Sequence, residues 1–176
     1  VLPVFAESQG ANKYGRLVDN AQLLSDIEYA QLKEHIDTVS EKYTFDVVIV
    51  TEKSIGDKTP TEYADDFFDY KGYGEGDNHD GILFLLDMEN RKWDISTTGA
   101  GIPYFTDYGQ EKIMDDVKPY LSDGEYYDAF DTFVTMAQVF NLPCASCDLN
   151  APADTLSQES MQQWLDAAAI FNTYLR

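Results

Sequence analysis

Two near-continuous apolar runs, FDVVIV at residues 45–50 and ILFLL at 82–86, restrict this chain more than any other feature. A strand that is apolar on successive residues is buried on both faces, so it must lie in a sheet covered from both sides. In a chain of 176 residues, enough for one domain with an ordinary core, amphipathic helices have to supply that cover. The flanking segments have the required periodicity. Residues 25–43 place Tyr29, Leu32, Ile36, Val39 and Tyr43 at spacings of three and four, and Ser25 with Glu28 has the form of a capping box. Thr59-Pro60 opens a second helix, with Tyr63, Phe67 and Tyr70 as its expected inner face and Gly72 to Gly76 as its end. After the 82–86 run, Met88 to Arg91 reads as a tight turn and KWDIST (92–97) alternates as a half-exposed strand does, which together predict a hairpin. A Gly-rich connection at 99–103 leads to a helix over about 108–120, stopped by SDG at 122–124. Tyr126, Phe130, Phe133, Ala137 and Phe140 mark another helix, and Met161, Trp164, Leu165, Ala168, Phe171 and Leu175 a last one. The order predicts a three-layer α/β/α sandwich with a mixed central sheet. Three regions follow: a leader remnant and flexible N-terminus at 1–14, the α/β/α domain at 15–143, and a connector with the last helix at 144–176.

Charge narrows the partners. Twelve basic residues face 32 acidic ones, a net charge of −20. Such a surface repels nucleic acid and anionic lipid, and attracts divalent cations or a basic protein surface. No run approaches the roughly 20 apolar residues of a membrane span. The opening VLPVFA has the form of a signal-peptide end, with small residues at the −3 and −1 positions and a mature start at Glu7. An ordinary N-terminal strand is the alternative; the polar, Gly-containing stretch from Ser8 to Tyr14 favours export. Cys144 and Cys147 form a CxxC that suits a redox pair, half a zinc site or a local disulfide. No second CxxC completes a zinc site, and His35 and His79 are the only histidines, so a small disulfide is the expectation for an exported chain.

The segment GEGDNHDGILFLLD (74–87) carries the most chemistry. It is not an EF-hand: with Gly81 as the turn glycine, the first ligand position falls on Gly76 and the twelfth on Asp87 in place of Glu. GAGIPY has no GK[ST], and neither GxSxG nor HExxH occurs. Position is the remaining guide. Asp77 and Asp80 precede one arm of the hairpin and Asp107 follows the other, so an antiparallel pairing brings them to the same end. Carboxylates gathered there suit a hard-oxygen site for Ca²⁺ or Mg²⁺, with Asp19 as a further contributor. The competing explanation is plain turn chemistry at Asp80-Gly81 and a helix cap at Asp107.

The order of VDNAQLLS (18–25), the helix ending in a Gly-rich loop, DGILFLL (80–86), the RKW strand, Gly99-x-Gly101, Thr106-Asp107 and KPYLSDGEYYDAF (118–130) resembles the TPM domain family over about residues 15–141. That family includes thylakoid-lumen proteins tied to photosystem II repair, a nematode acetylcholine-receptor modulator and bacterial membrane-anchored proteins. The resemblance implies an extracytoplasmic α/β/α domain, often tethered by a following membrane helix. It also implies a divalent-cation site on Asp19, Asp80 and Asp107 and, in some members, acid phosphatase activity. GAGIPY departs from the pattern by lacking an acidic residue, and the CxxC and the last helix lie outside it. Two functions are therefore expected to compete. One is a cation-binding module that supports assembly, repair or regulation of membrane proteins. The other is a metal-dependent phosphomonoesterase with an Asp as nucleophile or base.

Overall fold

The two apolar runs lie side by side at the centre of the sheet. A computed structural model describes residues 14–140. The proposed leader remnant, Cys144, Cys147 and the helix expected near 161–175 fall outside that range. In chain order the elements are β1 (Leu17–Asp19), α1 (Asp26–Tyr43), β2 (Asp46–Glu52), α2 (Pro60–Lys71), β3 (Gly81–Asp87) and β4 (Lys92–Thr98), followed by α3 (Gly101–Tyr104), α4 (Asp107–Asp123) and α5 (Tyr126–Phe140). The sheet runs β1-β2-β3-β4, with β1, β2 and β3 parallel and β4 antiparallel to β3.

Alternation along β2 and β3 divides the apolar runs between two cores. Val47, Ile49, Ile82, Phe84 and Leu86 pack under α1, α4 and α5. Val48, Val50, Leu83 and Leu85 pack under α2. Both sets are almost completely removed from water, which is why the sequence shows no polar alternation there. Each such side chain contributes about 1.5–3 kcal/mol through burial. Phe84 also lies 5.0 Å from Phe133 and 6.1 Å from Phe130, measured between ring centroids, which ties α5 to the sheet.

Local chemistry sets the helix limits. Ser25 and Glu28 form the expected capping box, and Thr59 and Glu62 form a second one in front of Pro60. The inner face of α2 differs from expectation. Ala64 and Phe68, four residues apart, are its buried pair, Tyr63 and Phe67 flank them, and Tyr70 is 83% exposed. Two residues beyond Phe68 is about 200° around the helix, so Tyr70 faces away from the sheet. Helix α4 runs on through Pro119 to Asp123 and ends on Gly124, at φ 80°. The Gly-rich connection contains one helical turn, α3. Strand β1 is three residues long and pairs Leu17 with Ile49; it is too short to give a periodic signal.

This layout gives the sheet two distinct ends. Arg16, Asp46 and Gly81 lie at the amino ends of the parallel strands, beside the carboxyl end of β4. Asp19, Glu52 and Asp87 lie at the opposite ends.

Candidate functional site

The acidic loop is held at the amino ends by its own backbone. The Asp80 N–H donates to the Glu75 carbonyl, while the Asp80 carbonyl accepts from the N–H groups of Glu75 and Asp46. Gly74, at φ 101°, lets the loop close: a Cβ there would sit 2.5 Å from the His79 carbonyl carbon. The Thr98 hydroxyl donates to the His79 carbonyl and joins the loop to β4.

Asp80 reaches from this loop to the Gly-rich connection. Its Oδ1 accepts from the Ala100 N–H at 2.7 Å. Gly99 has φ 55°, and a Cβ on it would lie 2.1 Å from that oxygen. Gly101 approaches as closely, its virtual Cβ 2.4 Å from the Gly81 carbonyl oxygen. The Gly-x-Gly spacing thus reflects a backbone pressed onto the acidic loop and β3.

Each expected ligand now has a place. Asp77 is exposed on the loop, Asp80 is partly buried beneath it, and Asp107 is the exposed first residue of α4. The cap of α4 is Thr106, whose hydroxyl accepts from the Gly109 N–H, so Asp107 is free of that duty. These three belong to the same end of the hairpin. Asp19 does not. Its register partner is Thr51, whereas the acidic loop leads into Gly81, the partner of Asp46. Five strand residues, on the order of 15 Å, separate the two positions. The Asp19 oxygens are also in use: Oδ1 accepts from the Thr51 hydroxyl at 2.5 Å and the Leu23 N–H at 3.1 Å, and Oδ2 from the Leu24 N–H at 3.0 Å. Asp19 shapes the β1–α1 turn and does not fit a centre shared with Asp80. Among the described residues, no three His, Cys, Asp or Glu side chains converge as a ready-made metal site.

Directly against the acidic loop lies a charge cluster that sequence reasoning missed. Arg16, only 6% exposed, donates Nε to Asp46 Oδ1 at 2.6 Å, Nη2 to Glu75 Oε1 at 2.8 Å and Nη1 to Asp37 Oδ1 at 3.3 Å. Asp46 Oδ2 accepts from the Gly74 N–H at 2.7 Å, and the Tyr73 hydroxyl donates to the Gly15 carbonyl. Burial works against the Arg16 charge, but its bonds to Asp46 and Asp37 outweigh it and raise the pKa. Burial, with Asp46 close by, pushes the Tyr73 phenol up to about 12. The available signal was Asp46, a lone carboxylate inside an apolar run, which has to find a buried cation.

The described residues therefore form a small α/β/α domain on a four-stranded mixed sheet, with a glycine-pinned acidic loop over a neutralised arginine. The chain belongs to the TPM domain family, whose model matches residues 17–139. It is 28% identical over 119 residues to the UPF0603 protein YdjH of Bacillus subtilis (strain 168), an alignment that takes in 68% of this chain and 45% of that protein. The chain thus spans about half the length of this relative. Among solved structures it is similar to the N-terminal domain of a P. gingivalis protein, with a TM-score of 0.65 and 22% identity over 74% of this chain and 83% of that one. It is also similar to the N-terminal domain of the cg2496 protein from Corynebacterium glutamicum, with a TM-score of 0.59 and 16% identity over 85% and 95% of the two chains. At these identities the structural likeness concerns the fold.

Proposed function

We propose that this chain is an extracytoplasmic binding module. It takes a divalent cation weakly at the amino end of its sheet and engages basic surfaces of membrane proteins during their assembly, repair or regulation. The observation that carries this reading is the state of the charges at that end. Arg16 is buried and already shared by three carboxylates, whereas Asp77 and Asp107 are exposed and Asp80 Oδ2 accepts no bond within the described residues. Such an edge attracts Ca²⁺, but its carboxylates do not converge, so water has to complete the coordination. The affinity then falls in the millimolar class of loosely built calcium sites, on the order of 10⁻⁴–10⁻³ M. The extracytoplasmic setting rests on the signal-peptide form of residues 1–6 and on family membership.

The phosphatase alternative is less well supported by the geometry. Phosphoryl transfer needs positive charge around the anion, and the arginine under this loop has none to spare. The test has two parts. Calorimetric titration of the metal-stripped protein with CaCl₂ and MgCl₂ should give weak, saturable binding that is reduced in both Asp80→Asn and Asp107→Asn. Hydrolysis of p-nitrophenyl phosphate, with and without these ions, should stay at the level of an Asp80→Asn/Asp107→Asn double variant. Tight binding that also depends on Asp19 would refute the loose site. Turnover abolished by Asp80→Asn would instead establish the enzyme.

A further inference from the structure

The opposite end of the sheet holds a pocket that no role of the acidic loop uses. It has a volume of about 420 Å³ and lies between the β3–β4 turn and the α4–α5 junction. That volume is within the range of small-molecule sites, roughly 300–1,000 Å³. Its apolar wall is Leu86 and Met88 from the end of β3 and Leu121 from α4, with the rings of Trp93 and Tyr126 on either side. Its polar wall is Arg91 and Lys118.

Two cations line one side of this pocket. In a chain of net charge −20, a lining cation is expected to be taken up by a neighbouring carboxylate. Lys33, Lys58 and Lys112 are paired in that way, whereas among the described residues Lys42, Lys53 and Lys92 are not. Among the described residues Arg91 and Lys118 form no ion pair. The carboxylates of the adjacent turn are engaged elsewhere. Asp87 is fully buried and accepts from the Glu89 N–H and from Asn90 Nδ2, and Glu89 accepts from the Ser54 hydroxyl. Lys118 Nζ lies 5.3 Å from the centre of the Trp93 ring, a cation resting on an aromatic face. Arg91 holds φ 51°, so the turn itself sets the point from which its side chain leaves.

We propose that this pocket binds a small amphipathic carboxylate, an apolar or aromatic body bearing one acidic group. The acid meets the Arg91 fork and the Lys118 ammonium, and the body lies on Trp93 and Tyr126 over Leu86, Met88 and Leu121. A guanidinium matches a carboxylate with two parallel hydrogen bonds. A single negative charge suits the site better than a dianion, because the field of the whole molecule opposes each added unit.

The experiment is a titration of the full chain with naphthalene-2-carboxylate, followed by the indole N–H signal of Trp93, with the neutral 2-naphthylmethanol in parallel. A Trp164→Phe variant assigns the Trp93 signal, since the chain has one other tryptophan. The expected result is a saturable shift of the Trp93 signal with the carboxylate, at least tenfold weaker for the alcohol. The Arg91→Asn/Lys118→Met variant should lose the same tenfold with the rest of its spectrum unchanged. Both residues are exposed and Asn tolerates a positive φ, so this variant keeps the fold. Absence of saturation, equal binding of the alcohol, or undiminished binding in the variant would each overturn the proposal.

Discussion

Arg16 is the residue on which the amino end of the sheet depends. Among the described residues it is the only cation paired with the buried Asp46, and its other two arms hold Asp37 on α1 and Glu75 on the acidic loop. Removing one partner of a buried pair leaves an uncompensated charge, which is worse than losing the bond alone. Arg16→Ala should therefore destabilise the domain by about 3–5 kcal/mol in urea unfolding. Combining it with Asp46→Asn should recover part of that loss, because the stranded charge is removed. A loss below about 1 kcal/mol in the single variant would mean that water, not Arg16, satisfies Asp46. Sequence reasoning missed this role by taking FDVVIV as an apolar run, although Asp46 within it is a carboxylate with no solvent to face. The partners were unreadable because they are 21, 30 and 59 residues away from Arg16.

At the scale of elements, the helix over β4 carries a testable polar seam. Thr61 and Asp65 of α2 meet Asp94 and Ser96 of β4: the Thr61 hydroxyl donates to Asp94 Oδ1 at 2.8 Å and the Ser96 hydroxyl to Asp65 Oδ1 at 2.6 Å. Burial, with Asp65 nearby, raises the Asp94 pKa, and the Thr61 bond opposes the rise. A carboxyl whose folded pKa is raised favours folding while protonated. Its contribution is full below the unfolded value near 4 and is lost as the pH climbs through the folded value. Asp94→Asn should thus gain stability relative to the parent as the pH rises from about 4 to 7, by less than about 1 kcal/mol. Melting curves across that range check it, and parallel profiles would contradict the assignment. The elements themselves were largely legible, since caps and apolar periods act within a few residues. Tyr70 was assigned to the wrong face because an aromatic residue at the right spacing looks apolar whether or not the sheet lies under it.

At the scale of the molecule, net charge −20 means that compaction works against self-repulsion. Raising the ionic strength from about 0.01 to 0.15 M shortens the screening length from about 30 to 8 Å. The melting temperature should rise with NaCl, by about 2–4 °C for each kcal/mol of repulsion relieved. CaCl₂ at matched ionic strength should add a further increment that Asp80→Asn and Asp107→Asn remove. A melting temperature indifferent to salt would show that the acidic residues are spread too widely to repel. By itself the sequence determined the layers, because runs apolar on both faces of a strand have no other stable home. It also determined which helices cap where, because those bonds are local. Only the tertiary structure decided which end of the sheet each carboxylate occupies. Asp19 and Asp80 both lie next to short strand motifs, yet parallel pairing sends one to the carboxyl end and the other to the amino end. Strand direction is set by long-range packing and crossover connections, which residue patterns do not record.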